Sequence, residues 1–408
     1  MYTKEKALEK LKEYGQEHVL AFYDELSEEE KVSLLSQIEE IDFSVLENAE
    51  RSDAKDSREI SPIKAMQREE IKAKEAELKQ KGIEALKEGR LGAVLLAGGM
   101  GTRLGSDDPK GMYDIGLTRP VYIFMRLMEN LSDVVNKTGR YVHLFVMTSE
   151  KNHEKTKGFF EEKDFFGYDS RYVHFFKQEM VPATDFNGKI YMESKSRIAT
   201  SPNGNGGWFS SLAAAGLLRV LEEEGIEWLN VFAVDNVLQK IADPVFLGAV
   251  LEKGAECGSK VVRKNAPDER VGVMCLKDGH PSIVEYYELT EELMNTRDEN
   301  GESVYNFGVI LNYIFSVEAL KRIMNDKLIL HIVDKSIPHI DAEGNEIVPD
   351  RPNGHKYEKL VLDMVELMES CVPFEVEREK EFAPIKNKTG KDSVESAREL
   401  LKLNGYIL

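Results

Sequence analysis

Two different rhythms of apolar and polar positions divide this chain. Up to about residue 90 the apolar positions recur at helical spacing. Ser27-Glu28-Glu29-Glu30 reads as a capping box, followed by apolar Val32, Leu34, Leu35 and Ile38 at helical spacing. From Ile63 to Glu88 charges of both signs alternate with few glycines, the pattern of a solvated helix. Residues 1–90 are therefore expected to form a helical region, a structural cap without chemistry of its own. From Leu91 short apolar runs take over, with strands expected at Ala93–Ala97, Val142–Met147, Val173–Phe176, Leu229–Val234 and Val271–Leu276. Helical patterns such as Leu212 to Glu224 fall between several of them. That alternation predicts an α/β fold, a mixed, mostly parallel sheet flanked by helices, with ligands at the carboxyl ends of its strands.

Composition narrows the possible partners. The 408 residues are 42% hydrophobic and 31% charged, ordinary for a globular chain, and the formal net charge is -19. Binding to nucleic acid or to an anionic membrane needs a basic surface, so neither is expected. A phosphate ligand would have to be drawn in by a local basic pocket. Cys257, Cys275 and Cys371 form no C-x-x-C pair and read as buried thiols of a reducing compartment. No apolar run approaches the ~20 residues of a membrane span, and the start of the chain leads into no signal-peptide core. A cytoplasmic location is expected, with domain boundaries at 1–90, 91–385 and a short tail, 386–408.

One turn carries a chemical signal. The apolar run Ala93–Ala97 ends in Gly98, Gly99, Gly101 and Gly105, four glycines within eight residues. Such a turn can aim several backbone N–H groups at one anion. Arg103 and Lys110, the latter in Pro109-Lys110-Gly111, add two positive charges beside it. A Walker A loop fails because no Ser or Thr follows the lysine. The dinucleotide fingerprint fails because Leu104 stands where its third glycine belongs. Kinase catalytic segments are absent. What remains is a polyphosphate site of another type, or a tight strand-to-helix corner.

The stretch Leu96 to Leu117, LAGGMGTRLGSDDPKGMYDIGL, resembles the signature of the UDP-sugar pyrophosphorylases, most nearly the UDP-N-acetylhexosamine enzymes. FFKQEMVPA (Phe175 to Ala183), SPNGNGGWF (Ser201 to Phe209), VFAVDNVL (Val231 to Leu238) and KGAECGSKVV (Lys253 to Val262) follow in that family's order. So do RVGVMC (Arg270 to Cys275), IVEYYEL (Ile283 to Leu289), RPNGHKYEK (Arg351 to Lys359) and EFAPIKN (Glu381 to Asn387). The resemblance implies a Rossmann-like nucleotide-diphospho-sugar transferase fold. It implies a uridylyltransferase that takes UTP and a sugar 1-phosphate and releases pyrophosphate.

Residue by residue, the resemblance assigns Ala97, Gly98 and Gly99 to the nucleotide and Arg103 and Lys110 to its phosphates. Gln178, whose amide offers a donor and an acceptor, would read the uracil edge together with backbone near Gly204. Asn205, Gly272 and Glu285 would line the sugar, and Lys359 and Lys386 would hold phosphate. Asp235 ends an apolar strand, where a carboxylate can hold Mg²⁺ alongside phosphate oxygens; read alone it could equally be a cap or turn residue. Trp208 reads equally as core or as a ligand platform. The eight histidines show no metal spacing, and neither a G-x-S-x-G elbow nor a cysteine nucleophile signature is present, so covalent catalysis has no support.

Two departures stand out. After Tyr305-Asn306-Phe307-Gly308 the hexosamine enzymes carry a sugar-contacting Asn, and here the residue is Val309. Its apolar side chain cannot make that hydrogen bond, which leaves glucose 1-phosphate and galactose 1-phosphate open beside N-acetylglucosamine 1-phosphate. The chain also stops shortly after Lys386, so most of the family's carboxy-terminal domain is expected to be absent, which removes a basis for reading the oligomeric state; a monomer is the expectation kept. A non-catalytic UDP-sugar binder and a UDP-sugar-using glycosyltransferase are the rival classes. The second is disfavoured because Asn236, rather than an acid, follows Asp235.

Overall fold

A computed structural model describes residues 2–48, 58–299, 301–324, 328 and 330–408. The chain forms two compact units. The larger comprises Ser57–Lys177, Trp208–Asp326 and Leu362–Leu408. The smaller comprises Met1–Asp56, Gln178–Gly207 and Lys327–Val361.

The larger unit is built on a ten-stranded mixed sheet. In chain order its strands are β1 (Ile60–Pro62), β2 (Leu91–Leu96), β3 (Leu144–Thr148), β4 (Val173–Lys177) and β5 (Trp228–Ala233). They continue as β6 (Cys257–Arg263), β7 (Val273–Lys277), β8 (His280–Val284), β9 (Phe307–Ser316) and β10 (Cys371–Glu375). The spatial path is β1-β7-β9-β5-β2-β3-β4, with β8 on β7 and β6 joining β9 to β10. The run β5-β2-β3-β4 is parallel, and β9 pairs antiparallel to both β5 and β6. Every residue of β2 is buried, as expected for a parallel strand covered on both faces. The expected strands therefore exist, displaced by one or two residues at their ends. The expected helix Leu212 to Glu224 is two helices, Trp208–Ala214 and Leu218–Glu223, because Gly216 between them takes φ 73°.

The helix Arg68–Lys87 departs from its solvated reading on one face. Leu78, Gly82, Ala85 and Leu86 are buried. A Cβ on Gly82 would lie 1.9 Å from the Pro244 carbonyl oxygen, and one on Gly248 would lie 1.8 Å from that of Leu78. Two glycines thus let this helix and Pro244–Lys253 approach backbone to backbone, an arrangement charge patterning does not reveal.

In the smaller unit the predicted capping box forms: Glu30 N–H donates to the Ser27 hydroxyl, and the Glu30 carboxylate accepts from Ser27 N–H at 2.9 Å. Leu34, Leu35 and Ile38 of the helix Glu28–Glu40 pack with Ala7 and Leu11 of Lys4–Glu13 and with Ile190, Met192 and Ile198. Compactness therefore cuts the chain differently from the boundaries 1–90, 91–385 and 386–408. The first helices complete their core with residues from 178–207. The helix Arg68–Lys87 and the helix Val394–Leu403 belong to the core of the larger unit. Apolar faces choose partners by complementarity, and sequence distance does not enter. Trp208 is core: it is fully buried, and its indole N–H donates to the Met364 sulfur at 3.0 Å. Cys257 and Cys275 are buried, while Cys371 is partly exposed. Among the described residues no helix is long and apolar enough to cross a membrane.

Candidate active site

The glycine turn begins where β2 ends, between parallel neighbours. Ala97 N–H donates to the Met147 carbonyl of β3 at 2.8 Å, which extends the ladder one residue. The chain then makes a closed loop. Gly101 N–H donates to Asp108 O at 2.8 Å, and Lys110 N–H to Gly99 O at 3.1 Å, so Lys110 sits directly beside Gly99. Of the four glycines only Gly105 takes a left-handed conformation, φ 76°. A Cβ on Gly99 would meet no heavy atom within 4 Å, so the backbone is open on that side. Gly111 serves packing: its Cβ would fall 2.2 Å from the Phe124 ring, on the helix Ile123–Thr138.

Opposite the turn, β5 runs into Asp235. The Lys110 ammonium lies 4.0 Å from the Asp235 carboxylate, with side chains 18% and 21% exposed. Asp235 itself lies in the turn that ends β5. The Asp235 carbonyl accepts from Ile385 N–H at 2.9 Å, which sets Lys386 next in line. Burial depresses the Lys110 ammonium's pKa below the usual lysine range. Asp235 opposes that shift, whereas the like charges of Arg103 and Lys386 add to it. Four of the sequence-selected residues thus interact electrostatically at one place, and the excess is cationic. Phosphate would relieve it.

A second group forms at the sheet's antiparallel side. Val309 N–H, on β9, donates to Gly272 O at 2.9 Å. A Cβ on Gly272 would come within 3.0 Å of Ile283, 3.4 Å of Val309 and 3.8 Å of the Glu285 carboxylate. The three sugar candidates Gly272, Glu285 and Val309 are therefore neighbours, and the missing side chain at 272 keeps the space between them. Gly272 and Glu285 lie just outside β7 and β8, not within strands as the apolar pattern suggested, because the β7–β8 ladder closes at the Val273–Val284 pair.

In the smaller unit Gln178, Gly204, Asn205 and Lys359 gather around a two-stranded ladder, Met180–Pro182 with Thr200–Pro202. Asn203 N–H donates to Glu179 O at 3.0 Å, which continues the register so that Gln178 faces Gly204. Gln178 is buried, 7% exposed, and not the solvent-facing residue its position alone suggests. Gly204 has φ +85°, and a Cβ there would lie 2.3 Å from Lys359 O, so only glycine fits. Lys359 N–H in turn donates to Asn203 O at 2.7 Å. The Asn205 side-chain oxygen accepts from Val361 N–H at 2.9 Å.

Two supporting residues escaped the sequence reading. Asn152, fully buried, donates to the carbonyls of Ala97 at 2.9 Å and Gly99 at 3.4 Å and accepts from Ser149 N–H at 2.8 Å. It holds the glycine turn from behind. Asn236 clasps the segment carrying Lys386, donating to Glu381 O at 2.8 Å and accepting from Ala383 N–H at 2.9 Å. Asn152 lies outside every motif named above, and Asn236 reads along the chain only as the residue after Asp235; the distant backbone each binds reveals its supporting role.

The chain matches the UTP–glucose-1-phosphate uridylyltransferase family over residues 40–404. It is 36% identical to the mouse UDP-N-acetylhexosamine pyrophosphorylase-like protein 1, covering 97% of this chain and 83% of that one. It is 36% identical to a probable UDP-N-acetylglucosamine pyrophosphorylase of Dictyostelium discoideum, covering 96% and 85%. Among solved structures, the UDP-N-acetylglucosamine pyrophosphorylase of Trypanosoma brucei, in complex with an inhibitor, superposes with TM-score 0.81 at 32% identity over 97% of this chain and 83% of that chain. The α/β architecture, the glycine turn closing on Lys110 and the extent of these matches together identify the chain as a member of the UTP–glucose-1-phosphate uridylyltransferase family.

Proposed function

We propose that the protein is a uridylyltransferase that joins UTP and N-acetylglucosamine 1-phosphate to give UDP-N-acetylglucosamine and pyrophosphate. One observation carries the chemistry: a backbone turn open at Gly99, with Lys110 hydrogen-bonded beside it and 4.0 Å from Asp235. The relatives' names supply the sugar class.

In nucleotidyl transfer the protein mainly positions reactants and stabilises charge. Backbone at Ala97, Gly98 and Gly99, with Arg103 and Lys110, would take the triphosphate. In the larger unit, Gly272 and Glu285 would face the sugar; for the smaller unit, the family resemblance implies that Gln178 and the Gly204 backbone read uracil and that Asn205 contacts a sugar. A phosphate oxygen of the sugar 1-phosphate, neutralised by Lys386, forms a bond to the α-phosphorus in line as the bond to the β-phosphate oxygen breaks. Pyrophosphate leaves with its charge on Arg103 and Lys110. No proton transfer is needed, which agrees with a site of cations and backbone amides.

Mg²⁺ fits the residues present. Among the described residues no cluster of three or more His, Cys, Asp or Glu could cage a metal. Mg²⁺ is usually held by one or two carboxylates plus substrate phosphates. Asp235 would be its protein ligand, and the ion would neutralise phosphate charge.

Pyrophosphate release from UTP and a panel of sugar 1-phosphates tests the reading, with N-acetylglucosamine 1-phosphate expected to turn over fastest. Val309 favours a second reading, since its branched apolar side chain stands against Gly272 where an amide was expected. Preference for glucose or galactose 1-phosphate would establish that reading. Binding of UTP without release from any sugar phosphate would leave a non-catalytic binder.

A further inference from the structure

The segment that carries Lys386 is fixed from below by a buried group of charges. Lys260 on β6 has no exposed surface. Its ammonium donates to the Glu381 carboxylate at 2.6 Å and to the Asp243 carboxylate at 2.9 Å. The other Glu381 oxygen lies 3.2 Å from the Lys240 ammonium. Asp243 is also committed: it caps the helix Pro244–Lys253 by accepting from Val245 N–H at 3.0 Å. Lys260, Asp243 and Glu381 are buried and the more exposed Lys240 brings the group to neutrality.

Glu381 begins the stretch that reaches the site. Its carbonyl accepts from Asn236 Nδ2 at 2.8 Å, and Ala383 N–H donates to Asn236 Oδ1 at 2.9 Å. Val237 N–H donates to Ala383 O at 3.4 Å and Ile385 N–H to Asp235 O at 2.9 Å. Residues 381–385 thus run antiparallel to 235–237, and the next side chain is Lys386. That side chain is itself held only loosely, 48% exposed and 4.0 Å from Asp392. A flexible lysine at the end of a rigid track takes its position from the track. A buried ion pair contributes little net stability compared with an apolar replacement, so its presence here calls for another role.

We infer that the Lys260–Glu381 pair is a positioning device that, through Asn236, sets Lys386 against Asp235 for the transfer step. The inference rests on the uridylyltransferase reading. Glu381 touches no reacting atom and acts through Lys386.

A double-mutant cycle on the full chain tests it. Glu381→Gln keeps the shape and one acceptor but releases the pair. It is expected to lower kcat about tenfold while UTP affinity, read by titration calorimetry, stays within about threefold. In a Lys386→Ala background Glu381→Gln should change kcat by less than about twofold, because groups that act as one unit are not additive. Should Glu381→Gln not fold, Lys240→Ala takes its place. The Lys240 side chain is 57% exposed and holds the other Glu381 oxygen, so a fall of about threefold is expected, again absent without Lys386. Full additivity with Lys386→Ala, or an unchanged kcat, overturns the inference. Wild-type protein that releases no pyrophosphate would instead overturn the underlying reaction.

Discussion

Lys110→Met separates catalysis from stability in one substitution. Two unit charges about 4 Å apart at an effective dielectric of about 20 interact by about 4 kcal/mol. At about 1.4 kcal/mol per decade that is about a thousandfold in rate. Arg103 shares the same phosphates, and the Lys110 side chain is still 18% exposed, so a loss of about 10²–10³ in kcat/KM is expected. Stability should move the other way. Burial and the neighbouring cations depress the Lys110 pKa in the folded state. The unfolded chain therefore holds that proton more tightly, and the charged ammonium costs stability at neutral pH. The cost is relieved as pH rises from the depressed value towards the free-lysine value of about 10.4. Ligand-free Lys110→Met should thus unfold at higher urea than wild type at pH 7, and the gap should close by about pH 10.5. UTP should reverse the order, since it pairs with the wild-type ammonium alone. Coupled pyrophosphate detection and urea titrations with and without UTP are the assays. A variant within about threefold of wild-type turnover, or one less stable than wild type when ligand-free at pH 7, would refute the reasoning.

Three further outcomes can be checked. Gly248→Ala places a methyl 1.8 Å from the Leu78 carbonyl oxygen and should cost about 3 kcal/mol in chemical denaturation, while pyrophosphate release per folded molecule stays at the wild-type level. Asn152→Ala removes the amide that ties the carbonyls of Ala97 and Gly99, and should raise the KM for UTP about tenfold with a stability loss of about 1–3 kcal/mol. His174 is pushed down to about 4, first by burial and then by His143, whose ring nitrogen lies 3.0 Å away. The unfolded chain takes up that proton from about pH 6.5 downward, so the unfolding midpoint should fall between pH 6.5 and about 4. His174→Phe, kept on the stack with Phe145, should flatten part of that slope in scanning calorimetry.

Much of the site was legible along the chain because its chemistry is local. Ala97 to Lys110 fold back on themselves within one loop, so the glycines, Arg103 and Lys110 could be read together as one candidate phosphate site before any tertiary contact is known. Asp235 was legible as a strand end, since an apolar run stopping at an acid places that acid at the sheet's carboxyl edge. Gly272, Glu285 and Val309 could be listed but not joined; only the antiparallel pairing of β7, β8 and β9 makes them neighbours.

What the sequence by itself determined is the set of elements and the chemical groups offered to a ligand, for periodicity and turn chemistry act over a few residues. Tertiary structure alone decided the rest. It grouped the first helices with residues near 190, and it recruited Arg68–Lys87 into the larger core through Gly82 and Gly248. It also buried Lys260 against carboxylates at 243 and 381, and so fixed where Lys386 begins. Those choices depend on shape and charge matching between surfaces mostly more than a hundred residues apart, and no local pattern encodes which surface will be met.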